Sequence, residues 1–499
     1  MTHTGPLAMG ELLAHHAGQD PRRPMLTVGA ETVTREGLEA RANRRARQIA
    51  AFGVGADDLV TVAMPNGVEF YETTFALWKL GATPNIVSPK LPDAELGAIV
   101  QLVNPKVVIG PDASRLPGRN TLPAGTILDA GLSAEPLPRA VPTYWKAMTS
   151  GGSTGRPKVI VDHMPGLWDP AMASLGQIPG DNILNPGPLY HNAPFIGTHF
   201  GLFTGSHIVD MVKFDAEMTL ALIERHHIGW VNFVPTMMSR ISRLPPEVRD
   251  SFDLTSLRAV FHMGSACPIW LKQAWIDWLG ADRIFELYSG TERQGATIIT
   301  GREWLERKGS VGQLQPGARM KILNEAGHPC APREIGEIYL LPETGRNATY
   351  HYIGADAKAD GEWESLGDMG YVDEDGYLYL VDRRTDLIVS GGANIYPAEV
   401  EAALEVHPQI VSAVVIGLPD DDLGQRVHAI VQPVANASVT AEELLTTVSE
   451  QLARYKVPRT LEFTAQPLRD EAGKIRRFAL REERLGAVNT DKGSQSEQA

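Results

Sequence analysis

The chain has 499 residues, 43% of them hydrophobic and 21% charged, with a formal net charge of −14 and a pI near 5.5. That length predicts about three folding units, and the acidic balance argues against a nucleic-acid or anionic-membrane partner. The only cysteines, Cys267 and Cys330, exclude a disulfide framework and a C-x-x-C metal motif.

The N-terminal stretch lacks the basic start and apolar core of an export signal, which predicts a cytoplasmic protein. Residues 34–53 read as an amphipathic helix with Leu38, Ala42, Ala46 and Ile49 on one face and Gly53 at its end. A short apolar strand at 59–64, a helix at 67–80 stopped by Gly81, and a strand at 106–109 follow. Such alternation predicts an α/β unit with a largely parallel sheet.

At 144–158 the sequence reads YWKAMTSGGSTGRPK. The apolar run ends at Met148, and the residues from Thr149 to Lys158 are three Gly, two Ser, two Thr, one Arg, one Pro and one Lys. Glycines let backbone N–H groups approach a ligand, hydroxyls donate hydrogen bonds and Lys158 brings charge, so the stretch suits a polyphosphate. It is no Walker A loop, because Val159 stands where that motif needs Ser or Thr. A plain surface loop is the alternative reading.

The uncharged stretch 182–209 is broken by Pro186, Pro188 and Pro194 and fits a pocket wall better than a membrane span. Strand-like runs at 182–185, 228–234, 257–263 and 283–288 each lead into a turn-rich segment: LYHNAP, VPTMM, GSACP and SGTE. Ligands in open α/β sheets sit beyond the carboxyl ends of strands, so these turns are expected to share one crevice. Residues 268–279 put three Trp on a helix, a packing feature. From about Gly312 strands and hairpins dominate, with Asp375 and Gly376 as a hairpin turn. After Arg383 comes a small α+β unit: a helix at 397–406, strands at 411–417 and 427–433, and a helix at 441–454 opened by a Thr440/Glu443 capping box. The tail at 489–499 has no apolar residues beyond alanine to bury and is expected to be disordered. The expected fold class is α/β: a large N-terminal domain of parallel α/β sheets at 1–384, including a β-rich subdomain from about 312, and a small α+β C-terminal domain at 385–488.

Five segments in order, TSGGSTGRPK at 149, YSGTE at 288, GDMGYVDEDG at 367, DRRTDLIVSGGANIYPAEVE at 382 and GKIRR at 473, resemble the signature of the adenylate-forming superfamily. Its members include acyl-CoA ligases, carrier-protein-loading adenylation domains and luciferases. The resemblance spans about Thr34 to Leu480. It implies joining a carboxylic acid to AMP with pyrophosphate release, then passing the acyl group to a thiol, with ATP, Mg²⁺ and coenzyme A as cofactors. Two anions meet in the first step, so the site must supply positive charge and fixed donors.

Carried over by match, Thr149, Ser150, Gly151, Gly152, Ser153, Thr154, Gly155 and Lys158 would hold the leaving phosphates. Thr291 would touch the α-phosphate, and Glu292 would help hold Mg²⁺. Gly264, Ser265 and Ala266 would line the adenine face, Tyr288 would stack on the base, and Ser289 and Gly290 belong to the same nucleotide-binding turn. Asp368 and Arg383 would meet the ribose. Lys474 resembles a mobile catalytic lysine of the adenylation step, and His191 a gate beside the acyl carboxylate. Taken singly, Glu292 and Lys474 read as solvated charge, Asp368 as a turn-former and His191 as a satisfied pocket histidine. Rotation of a mobile C-terminal domain would bring Gly391 and Gly392 to the pantetheine tunnel. The hinge position falls on Thr385, where relatives carry Asp or Lys, with Asp386 sharing the role.

The segment LYHNAPF lacks the Asp with which amino-acid-activating relatives bind an amine, and Asp215 reads as a helix N-cap, so an acid without an α-amino group is expected. Gly152 and Val159 resemble the loop of ligases for bulky bile-acid, steroid or terpenoid acids. Apolar walls at 195–203 and 233–238 fit a large acyl group. No carrier domain follows in the sequence, so free CoA is the expected acceptor, with a separate carrier protein or a luciferase-like oxygenase as alternatives. The expected partners are a small carboxylic acid, ATP and CoA, without nucleic acid or integral membrane association. A homodimer stays open.

Overall fold

The computed structural model describes residues 5–151, 157–471 and 473–485. The Gly152, Ser153, Thr154 and Gly155 assignments and the 489–499 tail lie outside the described residues. The helix expected at 34–53 runs Arg35–Ala50, with the Thr34 side chain accepting from the Gly37 amide as its cap. Its Leu38, Ala42, Ala46 and Ile49 are fully buried, as their spacing requires.

Two sheets share one core. In the first, Thr121–Pro123, Val108–Gly110, Leu59–Val62, Thr83–Ile86 and Lys146–Gly151 run parallel. Pro157–Asp162 then pairs antiparallel to Lys146–Gly151, closing a hairpin, and Tyr350–Ile353 adds at the edge. In the second sheet, Pro24–Val28, His207–Asp210, Asn182–Asn185, Trp230–Phe233, Ala259–His262 and Ile284–Ser289 form the parallel run. Helices Val68–Lys79 and Asn192–Phe203 contribute to the core between the sheets. There Trp78 stacks at 6.3 Å on Trp145 and donates its indole N–H to the Trp145 carbonyl.

Ala296–Thr300 and Ser310–Leu314 continue the second sheet antiparallel, and Tyr377–Arg383 and Asp368–Val372 extend it. Tyr350–Ile353 crosses instead to the first sheet. One expectation changes here. The segment 195–203 is mostly core. Phe195 and Phe203 are fully buried against Trp78, and Gly197 and Gly201 leave space for Trp230 and for Ile183 and Ile208. Their lack of side chains serves helix-on-sheet packing.

The C-terminal unit pairs Ile410–Asp420 with Gly424–Pro433 and Thr460–Phe463, covered by Pro397–Glu405 and Ala441–Gln451. Thr440 and Glu443 make the expected reciprocal cap. Among the described residues no helix is long and apolar enough to cross a membrane.

Candidate active site

The hairpin Lys146–Gly151/Pro157–Asp162 brings Lys158 to the first sheet's end, opposite the turn that follows Ile284–Ser289. There Lys158 Nζ lies 3.5 Å from Glu292 Oε1 and 3.9 Å from the centre of the Tyr352 ring. Burial lowers the Lys158 pKa, and the Glu292 carboxylate works against that shift. Tyr352 donates its hydroxyl to Glu292 Oε1 at 2.6 Å, and Thr349 donates to the Glu292 carbonyl at 2.9 Å. Glu292 is 5% exposed, so its charge is held in place and largely desolvated. A side chain at Gly290 would meet Leu366 at 2.3 Å and Glu292 Oε2 at 2.9 Å, which explains the glycine. The Ser289 hydroxyl turns back to the Gly290 and Gly295 carbonyls. Thr291 lies between these groups on the same turn.

Tyr288 donates to Asp368 Oδ2 at 2.8 Å, and Arg383 Nε reaches Asp368 Oδ1 at 3.2 Å. The three arrive together because Asp368 and Arg383 are register partners on adjacent strands. Thr149 accepts from the Asn85 amide at 3.1 Å; Ser150 and Gly151 end the strand in register with Lys158 and Pro157. Gly264 has φ +90°, a left-handed value that favours glycine, and Ser265 and Ala266 follow it into the crevice.

The turn carrying Lys474 sits on this crevice. Gly473 is buried, and a Cβ there would stand 3.2 Å from Thr236 Oγ1 and 3.6 Å from Ser265 Oγ. Glu471 bonds Lys90 at 2.5 Å and Tyr190 at 3.2 Å, while Asp470 Oδ2 lies 3.8 Å from His191 Nε2. The segments LYHNAP, VPTMM and GSACP therefore meet at this turn, and Glu292 after SGT is near enough to act on Lys474 electrostatically. Lys474 is accessible to solvent within the crevice. Surrounding protein lowers its pKa, and so does Arg383, while Asp470 and Glu292 favour its charge. Burial, with Lys474 second, brings the His191 pKa down to about 3, so the ring is neutral and its contact with Asp470 is no ion pair.

The structure does not bring Gly391 and Gly392 to the crevice. Both are exposed at the tip of the Ile388–Ser390/Ala393–Ile395 hairpin, where the Gly391 amide bonds the Leu423 carbonyl. Thr385 and Asp386 lie on the connection to it, and Arg477 holds Asp386 at 2.9 Å and Glu401 at 2.6 Å. Asp215 caps Ala216–His226, accepting from the Met218 amide at 2.8 Å.

Sequence reasoning missed a clamp behind the site. Lys146 and Asp162, register partners at the hairpin base, form a fully buried ion pair at 3.0 Å, and Asp162 also accepts from Arg293 at 2.7 Å. Arg293 follows Glu292 with φ +56°, so the clamp ties the Glu292 turn to the hairpin of Lys158. The available signal was a lone charge inside each apolar strand, YWKAM and VIVDH. Asp210 was missed too. It accepts from Asn185 at 2.6 Å and Asn66 at 3.1 Å, and burial pushes its pKa up to about 8.

Among the described residues no three His, Cys, Asp or Glu cluster as a metal cage. A single carboxylate such as Glu292 still fits Mg²⁺, which takes one or two carboxylates together with phosphate oxygens and water.

The AMP-binding enzyme family model matches residues 13–342, and that of the AMP-binding enzyme C-terminal domain matches 399–474. A feruloyl-CoA synthase from Amycolatopsis sp is 31% identical over 496 residues, covering 95% of this chain and 98% of the relative. The o-succinylbenzoate CoA synthetase (MenE) from Bacillus subtilis, in complex with the acyl-adenylate intermediate OSB-AMP, superposes with a TM-score of 0.81 at 25% identity, covering 96% of this chain and 99% of that one. The same enzyme in complex with ATP and magnesium ion gives 0.79 at 26% identity, covering 94% and 98%.

Proposed function

Since the chain belongs to the AMP-binding enzyme family, we propose how its own residues carry out ATP-dependent acyl-CoA ligation and which acid it takes. It is an acid–thiol ligase that uses ATP, Mg²⁺ and CoA. In the first step a carboxylate oxygen attacks the α-phosphorus, the bond to the β-phosphate oxygen breaks and pyrophosphate leaves. In the second the CoA sulfur bonds to the acyl carbon and AMP leaves, the thiol giving up its proton.

One observation carries the residue assignment: Lys158, Glu292, Arg383 and Lys474 face a single crevice although they come from four separate segments. Lys158 would hold the leaving phosphates, and Lys474 would meet the acyl carboxylate and the α-phosphate. Glu292 would hold Mg²⁺, which supplies charge neutralisation to the phosphates. Such charges need no reorganisation as the pentacoordinate phosphorus forms, which makes them effective. Neutral His191 can stand beside the acyl carboxylate without competing with Lys474 for it. Tyr288, Asp368 and Arg383 form a ready-made edge for the nucleoside.

For the acid, we favour a hydrophobic, ring-bearing group without an α-amine. The sheet face beneath Asn192–Phe203 carries Trp230, Phe261 and Phe285, the last two stacked at 5.1 Å. The two candidate carboxylates are committed elsewhere: Asp215 is a cap, and the Asp210 carboxyl is held by Asn185 and Asn66. Incubation with ATP, Mg²⁺, CoA and a panel of fatty, aryl and steroidal acids, read by mass spectrometry, tests the reading. An aryl or steroidal acyl-CoA with matching AMP supports it. Acyl-AMP without thioester would move the acceptor to a carrier protein, and preference for straight-chain acids would overturn the ring-bearing assignment.

A further inference from the structure

Of the polar side chains on the sheet face beneath Asn192–Phe203, Asn185 and Asp210 bond each other, and Asn232 lies beside the aromatic rings. Asn232 shares its face of Trp230–Phe233 with Trp230, and its strand partner is Phe261. It is 7% exposed, and its Oδ1 has no hydrogen-bond partner. A buried amide oxygen left without a donor among Trp and Phe rings is costly, and such groups in native proteins call for an explanation.

Its surroundings supply one. Two residues before Asn232, Trp230 closes against the helix: a Cβ on Gly197 would meet its ring at 3.0 Å. Four residues after it, Thr236 stands 3.2 Å from where a Cβ on Gly473, in the turn of Lys474, would lie. Asn232 thus stands between the packed floor of the sheet and the point where the acyl carboxylate is activated. His191 Nε2 and Asn192 Oδ1, which open the helix above, also lack partners. Asn232 Oδ1 and Asn192 Oδ1 come from the sheet and from the helix above it, and each can accept from an occupant that brings its own donor.

We infer that Asn232 is a specificity-determining residue that reads a hydroxyl on the body of the acyl group, so that the preferred substrates are hydroxylated hydrophobic acids. This rests on the ligase reading above. A carboxamide both accepts and donates, and a hydroxyl does the same, so the pair can form whichever way the amide is turned. An acid lacking the hydroxyl would leave the amide buried and unpaired, and a site built for a hydroxyl strongly rejects an analogue without it.

The test uses the full chain with ATP and Mg²⁺ and matched acids: para-hydroxycinnamate and cinnamate, para-hydroxybenzoate and benzoate, lithocholate and cholanate. AMP formation gives kcat/KM for each. The wild type should favour the hydroxylated member of at least one pair by about 100-fold or more. For that pair Asn232→Leu should bring the ratio below about fivefold, while Asn232→Ser, smaller and still polar, should retain an intermediate ratio. Ratios within about threefold for every pair in the wild type, or a preference that survives in both variants, would overturn the inference. If no acid yields AMP, the adenylation reading fails first and this inference falls with it.

Discussion

The C-terminal unit presents two edges that differ sharply. Its Lys474 turn is built into the large unit: Glu471 bridges Lys90 and Tyr190, Arg476 lies 3.6 Å from Glu95, and Arg243 donates to the carbonyls of Ile410 and Val411. Its Gly391–Gly392 tip is exposed, and a Cβ on Gly392 would meet nothing within 4 Å. One small body cannot present both edges to one crevice at once. The pose described here assembles the groups proposed for adenylation and leaves those proposed for CoA outside, so the two half-reactions call for two orientations of the unit. We propose Thr385 and Asp386, the latter held by Arg477 at the connection, as the pivot.

The sharpest way to break that contrast is Lys474→Ala. Adenylate formation should fall about 10²–10³-fold, the scale of losing one positioned electrostatic group. Transfer of a supplied acyl-AMP to CoA should stay within about threefold. Equal loss in both half-reactions would erase the difference between the two edges. The mirror experiment is Gly392→Leu. Because φ is +80° here, any side chain costs about 1–3 kcal/mol of local strain. With open space around it in this pose, adenylation should persist while thioester formation drops by about tenfold or more; unchanged thioester turnover would remove the tip from the CoA path.

A pH profile sharpens the first edge. The pKa of Lys474 is lowered, so its ammonium is lost at lower pH than that of a free lysine. Adenylation should therefore decline on the alkaline side as pH rises through that value, about tenfold per unit beyond it. Lys474→Arg, which keeps its charge, should not show that limb. His191, already neutral, should add no acid limb near pH 6.5. The smallest effect belongs to Lys90 and Glu471, a mostly exposed pair. Glu471→Gln should slow adenylation by no more than about fivefold, since exposed pairs contribute about 0–1 kcal/mol. The loss should shrink in high salt, and a salt-independent loss would mean that the Tyr190 contact dominates.

Much of this was written in local sequence. Asp215 and Thr440 cap their helices as local sequence predicted, since a cap needs only its next three residues. Lys158, Glu292, Asp368, Arg383 and Lys474 could be picked out because short ordered motifs carry them. What failed were inferences that needed a partner. Gly197 and Gly201 look like room for a ligand until Trp230, Ile183 and Ile208 are seen filling it.

The sequence by itself determined the elements, the caps and the roster of charged groups, because helix periodicity and capping act within a few residues. Tertiary structure alone decided that Lys158 meets Glu292, that Lys146, Asp162 and Arg293 lock the two together, and that the Asn232 Oδ1 atom is left without a donor beside aromatic rings. Each of those facts depends on segments far apart in the chain being brought together. Burial then sets the chemistry: a lysine or histidine shifts its pKa only once the fold has removed water from around it.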